Sequence, residues 1–260
     1  MTEAFGATHS VDIVEDRLVG GRLVLRQPRR GHRAGTDAVL LAAAAGPVAG
    51  ATVVDLGAGV GTVGLAVALR VPDARIVLVE RDAAMAALAR ENAVLNDVET
   101  RTQVIQADIL ARGSARRAAG LMAEVADVVL TNPPFFEAGK ARRSPDERRR
   151  AAHVMDGTGL DGWLRAAADL LKPGGRLVLI HRADALAGLL AGLAGRFGAV
   201  AIKPVHARVD APAIRVLVAG IRGSRAGISL LPPLILHGAD GRFTPEAEAI
   251  HRGEALIGLP

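Results

Sequence analysis

Val53-Val54-Asp55-Leu56-Gly57-Ala58-Gly59-Val60-Gly61-Thr62 joins a short apolar run to a carboxylate and three alternating glycines. The β-branched run predicts a buried strand, and the glycines predict a turn whose backbone can approach a ligand closely. Val63 to Arg70 carries the apolar pattern of a helix, so the turn opens onto a helix N-terminus with free amide donors. A dinucleotide is one candidate ligand, because Gly59-Val60-Gly61-Thr62-Val63-Gly64 fits the Gly-x-Gly-x-x-Gly spacing. That match begins three residues past the expected strand end, and Asp55 sets a carboxylate where a pyrophosphate would be repelled. A cofactor with an ammonium and a sulfonium but no phosphate is favoured instead, and S-adenosyl-L-methionine answers that description.

Outward from this turn the pattern alternates. Arg75 to Val79 is a second predicted strand, Ala83 to Leu95 a helix, Thr102 to Ala107 a third strand and Val125 to Leu130 a fourth. Leu160 to Leu171 follows as a helix, closed by Lys172-Pro173-Gly174-Gly175, and Arg176 to Ile180 is a fifth strand. Val200 to Val205 and Ala213 to Ala219 add two more near a Gly-rich helix. Strands alternating with helices imply an α/β protein with a mostly parallel sheet covered on both faces. Upstream, Leu18-Val19 and Leu23-Val24-Leu25 flank Gly20-Gly21, the pattern of a hairpin with a two-residue turn. A loop from Gln27 to Gly31 then leads to a predicted helix from Asp37 to Ala45.

Composition narrows the chemistry. The 260 residues hold no Cys, which excludes disulfides, thiolate metal sites and a Cys nucleophile together. Seven scattered His residues show no metal-ligand spacing, so no metal is expected. The net charge is +5, carried almost wholly by Arg, whose rigid fork suits phosphate; a GC-rich genome would give the same Arg bias. Residues 38–54 are uncharged but Ala-rich and broken by Gly46, Pro47 and Gly50, so no membrane span is expected. No basic-then-apolar leader opens the chain, and the reading is a cytoplasmic protein.

Two further carboxylates sit at predicted strand ends. Glu80, followed by Arg81-Asp82, falls about 20 residues after the glycine turn, where a carboxylate can accept both ribose hydroxyl protons. Asp108, in Gln106-Ala107-Asp108-Ile109, can hold an adenine amino group or simply cap a helix. The fourth strand runs into Thr131-Asn132-Pro133-Pro134-Phe135-Phe136. Consecutive prolines end the strand and fix a rigid turn. Asn132 and the Pro133 carbonyl offer two acceptors for the two protons of a planar amino group, whose lone pair would then face a methyl sulfonium. That is catalysis by positioning, without a strong base. Phe135 suits stacking on an extruded base, worth about 1–3 kcal/mol, while Phe136 suits anchoring or the same stack.

Asp55-Leu56-Gly57-Ala58-Gly59, Glu80, Asp108 and Asn132-Pro133-Pro134-Phe135 together resemble the ordered motifs of Rossmann-like methyltransferases that modify exocyclic amines. Gln27-Pro28, Gly31-His32-Arg33 and Thr36-Asp37-Ala38-Val39-Leu40-Leu41, with Ser144-Pro145, Arg148 and Ala152-His153, are similar to the bacterial tRNA(Val) adenine-N6 methyltransferase family. His32 stands where that family typically has an aromatic residue, and Phe135 where Tyr is frequent. The resemblance implies a seven-stranded, mostly parallel sheet with an antiparallel C-terminal strand. It implies a β-hairpin extension over residues 1–35 and a methyltransferase domain over 36–260. It also places Arg33, Thr36 and Asp37 over the methionine end of S-adenosylmethionine, beside Gly57, Ala58, Gly59, Arg81 and Ile109.

Lys140, Arg142, Arg143, Arg148, Arg149 and Arg150 follow the proline turn closely and could grip phosphates on either side of a flipped nucleotide, or form a solvated loop. The expected partner is RNA, in particular tRNA. RNA adenine-N6, RNA guanine-N2 and protein glutamine methylation all fit the four-residue turn, and a nicotinamide-dependent oxidoreductase stands as the reading from another class.

Overall fold

The computed structural model describes residues 12–30, 34–46, 49–134 and 158–260. Strands β1 (Ile13–Leu18) and β2 (Leu23–Pro28) form an antiparallel hairpin. Its loop is four residues long, Val19 to Arg22, rather than the two-residue turn expected. Val19, Gly20 and Gly21 all take positive φ, and Gly20 N–H donates to His251 O, so the loop is shaped partly by a distant segment.

Beyond it run α1 (Thr36–Ala43), β3 (Thr52–Leu56), α2 (Thr62–Arg70), β4 (Arg75–Glu80), α3 (Ala83–Leu95), β5 (Thr102–Gln106), α4 (Gly113–Ala118) and β6 (Ala126–Thr131). Then follow α5 (Thr158–Leu170), β7 (Leu171–Arg182), α6 (Leu186–Leu193), β8 (Phe197–His206) and β9 (Ala213–Arg222). The short β10 (Ile228–Leu230), β11 (Leu234–Ile235) and α7 (Pro245–His251) complete the order. Lys172 to Gly175, expected to separate helix from strand, is instead a bulge inside β7. Pairing with β6 passes from Ala126↔Leu171 directly to Val128↔Arg176.

The sheet order is β10-β8-β9-β7-β6-β3-β4-β5, with β11 also on β8. Strands β7, β6, β3, β4 and β5 are mutually parallel, and β9 alone runs antiparallel to both its neighbours. The expected seven strands are the central seven; β10 and β11 add two short pairings at the β8 edge.

Alternate strand residues divide the core, as the pleat requires. Val53, Val128 and Val178 pack with α1, α2 and α7 on one face. Val54, Val129 and Leu179 pack with α5 and α6 on the other. The hairpin belongs to the first face, where Leu23 and Leu25 are fully buried. Two asparagines one turn apart, Asn92 on α3 and Asn96 at its C-terminal cap, hold β2 there as a neighbouring strand would. Asn96 exchanges hydrogen bonds with Val24 N–H and O (2.9 and 2.7 Å), and Asn92 with Arg26 N–H and O (2.8 and 3.0 Å).

Candidate functional site

Register brings the sequence-selected loops to one edge. Leu56 lies opposite both Val79 and Thr131, and Glu80 lies opposite Gln106. The glycine turn, Glu80, the Asp108 loop and Asn132 therefore leave four adjacent strands at nearly the same height.

The turn is built on β4. Gly57 and Ala58 N–H both donate to Val79 O at 2.9 Å, and Gly59 N–H donates to Glu80 Oε2 at 2.8 Å. Gly57, Gly59 and Gly61 take φ of 81°, 55° and 91°, the left-handed region that a side chain disfavours. Beside Gly59 nothing lies within 4 Å of where a Cβ would stand, so its backbone is open to a ligand. Glu80 is half-buried, and its second oxygen accepts Asp82 N–H at 2.8 Å. Each carboxylate oxygen keeps a further lone pair for a hydroxyl donor.

Asp55 is placed differently from its expected position at an open strand tip. It is buried beneath the turn, with Oδ2 accepting Gly64 N–H at 2.9 Å. Burial pushes its carboxyl up to about 7; the Gly64 N–H opposes that rise and the charge of Glu80 adds to it. Asp55 thus fixes the start of α2, and Glu80 is the carboxylate presented at the edge. Gly64 lets α2 sit close to the sheet, since a Cβ there would be 2.3 Å from Leu78 Cδ2. Asp108 is exposed and accepts Leu110 N–H at 2.9 Å; Arg81 is exposed, and the Ile109 side chain is buried in the core.

Asn132 is half-buried, Pro133 buried and Pro134 exposed. Thr36 and Asp37 open α1, and Asp37 Oδ2 accepts Arg215 Nε at 2.9 Å. Arg215 lies opposite Arg182 at the end of β7, which sets α1's first turn at the same edge. Arg33, Phe135, Phe136, Lys140, Arg142, Arg143, Arg148, Arg149, Arg150 and His153 fall outside the described residues. The sequence did not single out Thr131, Trp163 or Arg215. Thr131 Oγ1 donates to Leu56 O (2.7 Å) and accepts Trp163 Nε1–H (2.8 Å). Only the singularity of Trp163 in the composition hinted at it.

Among the described residues no cluster of three or more His, Asp or Glu could hold a metal, and no helix is long and apolar enough to cross a membrane.

The methyltransferase small domain family model matches residues 34–204. A tRNA1(Val) (adenine(37)-N6)-methyltransferase of Porphyromonas gingivalis is 32% identical over 227 residues, spanning 82% of this chain and 85% of its own. A predicted O-methyltransferase from Agrobacterium tumefaciens is 34% identical and superposes with a TM-score of 0.72, over 85% of this chain and 98% of that one. A Thermus thermophilus 16S rRNA N2 methyltransferase, solved with S-adenosylmethionine and guanosine, shares the fold (TM-score 0.56, 22% identity, 81% of this chain and 50% of that one). By its matched domain, its relatives and the edge on which its motifs meet, the chain belongs to the methyltransferase small domain family, as an S-adenosylmethionine-dependent methyltransferase.

Proposed function

We propose that this enzyme transfers a methyl group to the exocyclic N6 of an adenine in tRNA. The observation that carries the reading is the placement of Asn132-Pro133-Pro134 directly beside the glycine turn, through the Leu56–Thr131 register. The edge also fits the cofactor. Gly59 leaves room for close approach of a ligand, Glu80 offers lone pairs to ribose hydroxyls, and exposed Asp108 can accept from an adenine amino group. Thr36 and Asp37, with Arg33, would hold the methionine end. Bound S-adenosylmethionine supplies an electrophilic methyl group on a sulfonium.

The rest is positioning by the chain. A planar amino nitrogen has a delocalised lone pair and is a poor nucleophile. Asn132 Oδ1 and the Pro133 carbonyl accept hydrogen bonds from its two N–H groups and orient the lone pair toward the methyl group; the methylated nitrogen then sheds one proton to solvent. In this reading Phe135 and Phe136 serve base stacking, and Arg142, Arg143 and Arg148 grip the neighbouring phosphates. An oxygen acceptor, as the name of the Agrobacterium relative would have it, needs a base to remove the hydroxyl proton. Among the described residues, Glu80 ends β4 and Asp108 follows β5, both on the far side of β3 from Asn132, while Asp37 and Asp184 are paired with Arg215 and Arg182. A nitrogen acceptor is therefore favoured. Guanine N2 and a glutamine amide share the chemistry, and the tRNA relatives favour adenine. The family match over residues 34–204 supports a catalytic domain that begins near residue 36, with residues 1–35 as an extension, and a tRNA substrate goes with a cytoplasmic enzyme.

The test is to incubate the protein with methyl-labelled S-adenosylmethionine and total RNA from a strain lacking the gene, then identify labelled nucleosides by mass spectrometry. Label in N6-methyladenosine of the tRNA fraction, lost in Asn132→Ala, is the expected result. Label in N2-methylguanosine would move the acceptor to guanine, and unlabelled RNA would sink the RNA reading.

A further inference from the structure

Trp163 belongs to α5, a helix that carries none of the motifs described above, yet it touches both loops that the reaction must hold in line. It is the only tryptophan of the chain and is 8% exposed. Its indole Nε1 donates to Thr131 Oγ1 at 2.8 Å, and that hydroxyl donates onward to Leu56 O at 2.7 Å. Its six-membered ring lies against Gly57, where a Cβ would come within 2.8 Å of Cζ2 and 3.0 Å of Cη2. Leu56 and Gly57 open the cofactor turn, and Thr131 immediately precedes Asn132.

We propose that Trp163 is a positioning residue for methyl transfer: it fixes Asn132 relative to the cofactor turn through Thr131, and braces that turn from beneath at Gly57. The proposal rests on the methyltransferase reading of this edge but not on which nitrogen accepts the methyl group.

Packing alone does not call for this arrangement. Thr131 is fully buried, and a valine would fill the same volume with no hydroxyl to satisfy. Burial at 163 calls for an apolar side chain, and does not by itself call for an indole N–H. What the polar pair adds is direction. Two hydrogen bonds in series, from helix to β6 and from β6 to β3, set the height of one strand end against the other. Transfer between aligned atoms is sensitive to that height, since a displacement of about 1 Å can cost about 100-fold in rate.

The experiment compares Trp163→Phe, Thr131→Val, Thr131→Ser and the double variant Trp163→Phe/Thr131→Val, each checked first by thermal melting. Trp163→Phe removes the N–H and withdraws the outer ring from Gly57, so it cuts both contacts, whereas Thr131→Val removes only the hydroxyl. In methyl transfer to total tRNA from the gene-deleted strain, Trp163→Phe and Thr131→Val should each lower kcat about tenfold or more, with KM for S-adenosylmethionine within about threefold. Thr131→Ser should recover most of that loss. The double variant should be little worse than the worse single variant, because both cut one link. Folded Trp163→Phe with wild-type kcat would overturn the proposal, as would Thr131→Ser as impaired as Thr131→Val.

A second readout does not depend on the acceptor. Trp163 is the sole indole fluorophore, so saturation with S-adenosylhomocysteine should shift its emission in the wild-type protein, and Thr131→Val should alter the spectrum of the free protein. Unchanged emission, while calorimetry shows the ligand bound, would break the link between Trp163 and the cofactor turn. An emission shift without any transfer to RNA would leave that link standing and count against the acceptor reading instead.

Discussion

At the residue scale, Glu80 and Asp55, both expected to face the cofactor, take different parts. Glu80 accepts Gly59 and Asp82 N–H, one on each oxygen, and remains half-buried at the edge. In Glu80→Gln an amide nitrogen must face one of those two N–H donors, and the charge is gone. Calorimetry should show S-adenosylmethionine affinity reduced about tenfold or more with the melting temperature little changed, since one buried acceptor or ribose contact is worth about 1–3 kcal/mol. Asp55 acts on stability. Its folded carboxyl is raised from 3.8 to about 7 by burial, so between those values the folded chain keeps a proton that the unfolded chain releases. The stabilisation is present in full below about pH 4 and is lost as pH rises through about 7. Melting followed from pH 5 to 8 should fall more steeply for the wild type than for Asp55→Asn, which has no such proton; parallel curves would refute the assignment. The glycines, Glu80 and Asn132 were legible because each obeys a local rule of strand-end spacing. Trp163 and Thr131 were not, because their bond spans 32 residues and exists only after α5 packs on the sheet.

At the scale of elements, the hairpin shows how a polar pair can replace a strand. Asn92 is fully buried and its amide bonds Arg26 N–H, Arg26 O and also Val60 O at 3.0 Å, so β2 and the cofactor turn share one tether. Asn92→Ala leaves the part-buried Arg26 groups and the buried Val60 carbonyl without that partner, and urea denaturation should register a loss of about 2–3 kcal/mol. An effect under about 0.5 kcal/mol would mean that the hairpin docks by its leucines alone. The hairpin itself was legible from Gly20-Gly21, but its loop length was not, because Gly20 answers to His251. Likewise Lys172 to Gly175 reads locally as a loop. The Asp127–Lys172 ion pair (2.6 Å) instead pins that segment against the start of β6, and the strand resumes beyond it. The exposed three-residue β10 and the two-residue β11 carry no periodicity from which to read them.

For the whole molecule, the net charge of +5 is modest, and its use depends on where it is concentrated. If Arg142 and Arg143 grip phosphates, reversing both to Glu should raise KM for RNA and flatten its dependence on salt, measured in the transfer assay across about 50–200 mM salt. Unchanged KM and slope would leave these arginines as a solvated surface. The central α/β frame followed from strand–helix alternation, which is local and repeated. The region after about residue 222 did not, because its shape comes from packing onto distant parts. Ala247 and Ile250 join the cluster around Leu40 and Leu41, and Ile257 N–H donates to Ala43 O.

The position of β9 has a consequence for synthesis. It lies between β7 and β8 in the sheet but follows both in the chain, and β10 and β11, the other partners of β8, come later still. A ribosome that has delivered residues up to His206 has made β8 with none of its partners and left the outer edge of β7 bare. Unpaired apolar edges of this kind invite intermolecular pairing. The growing chain therefore passes through a window, closing only when Arg222 emerges, in which a holding chaperone would have a defined segment to cover. Refolding from denaturant, with every strand present at once, has no such window.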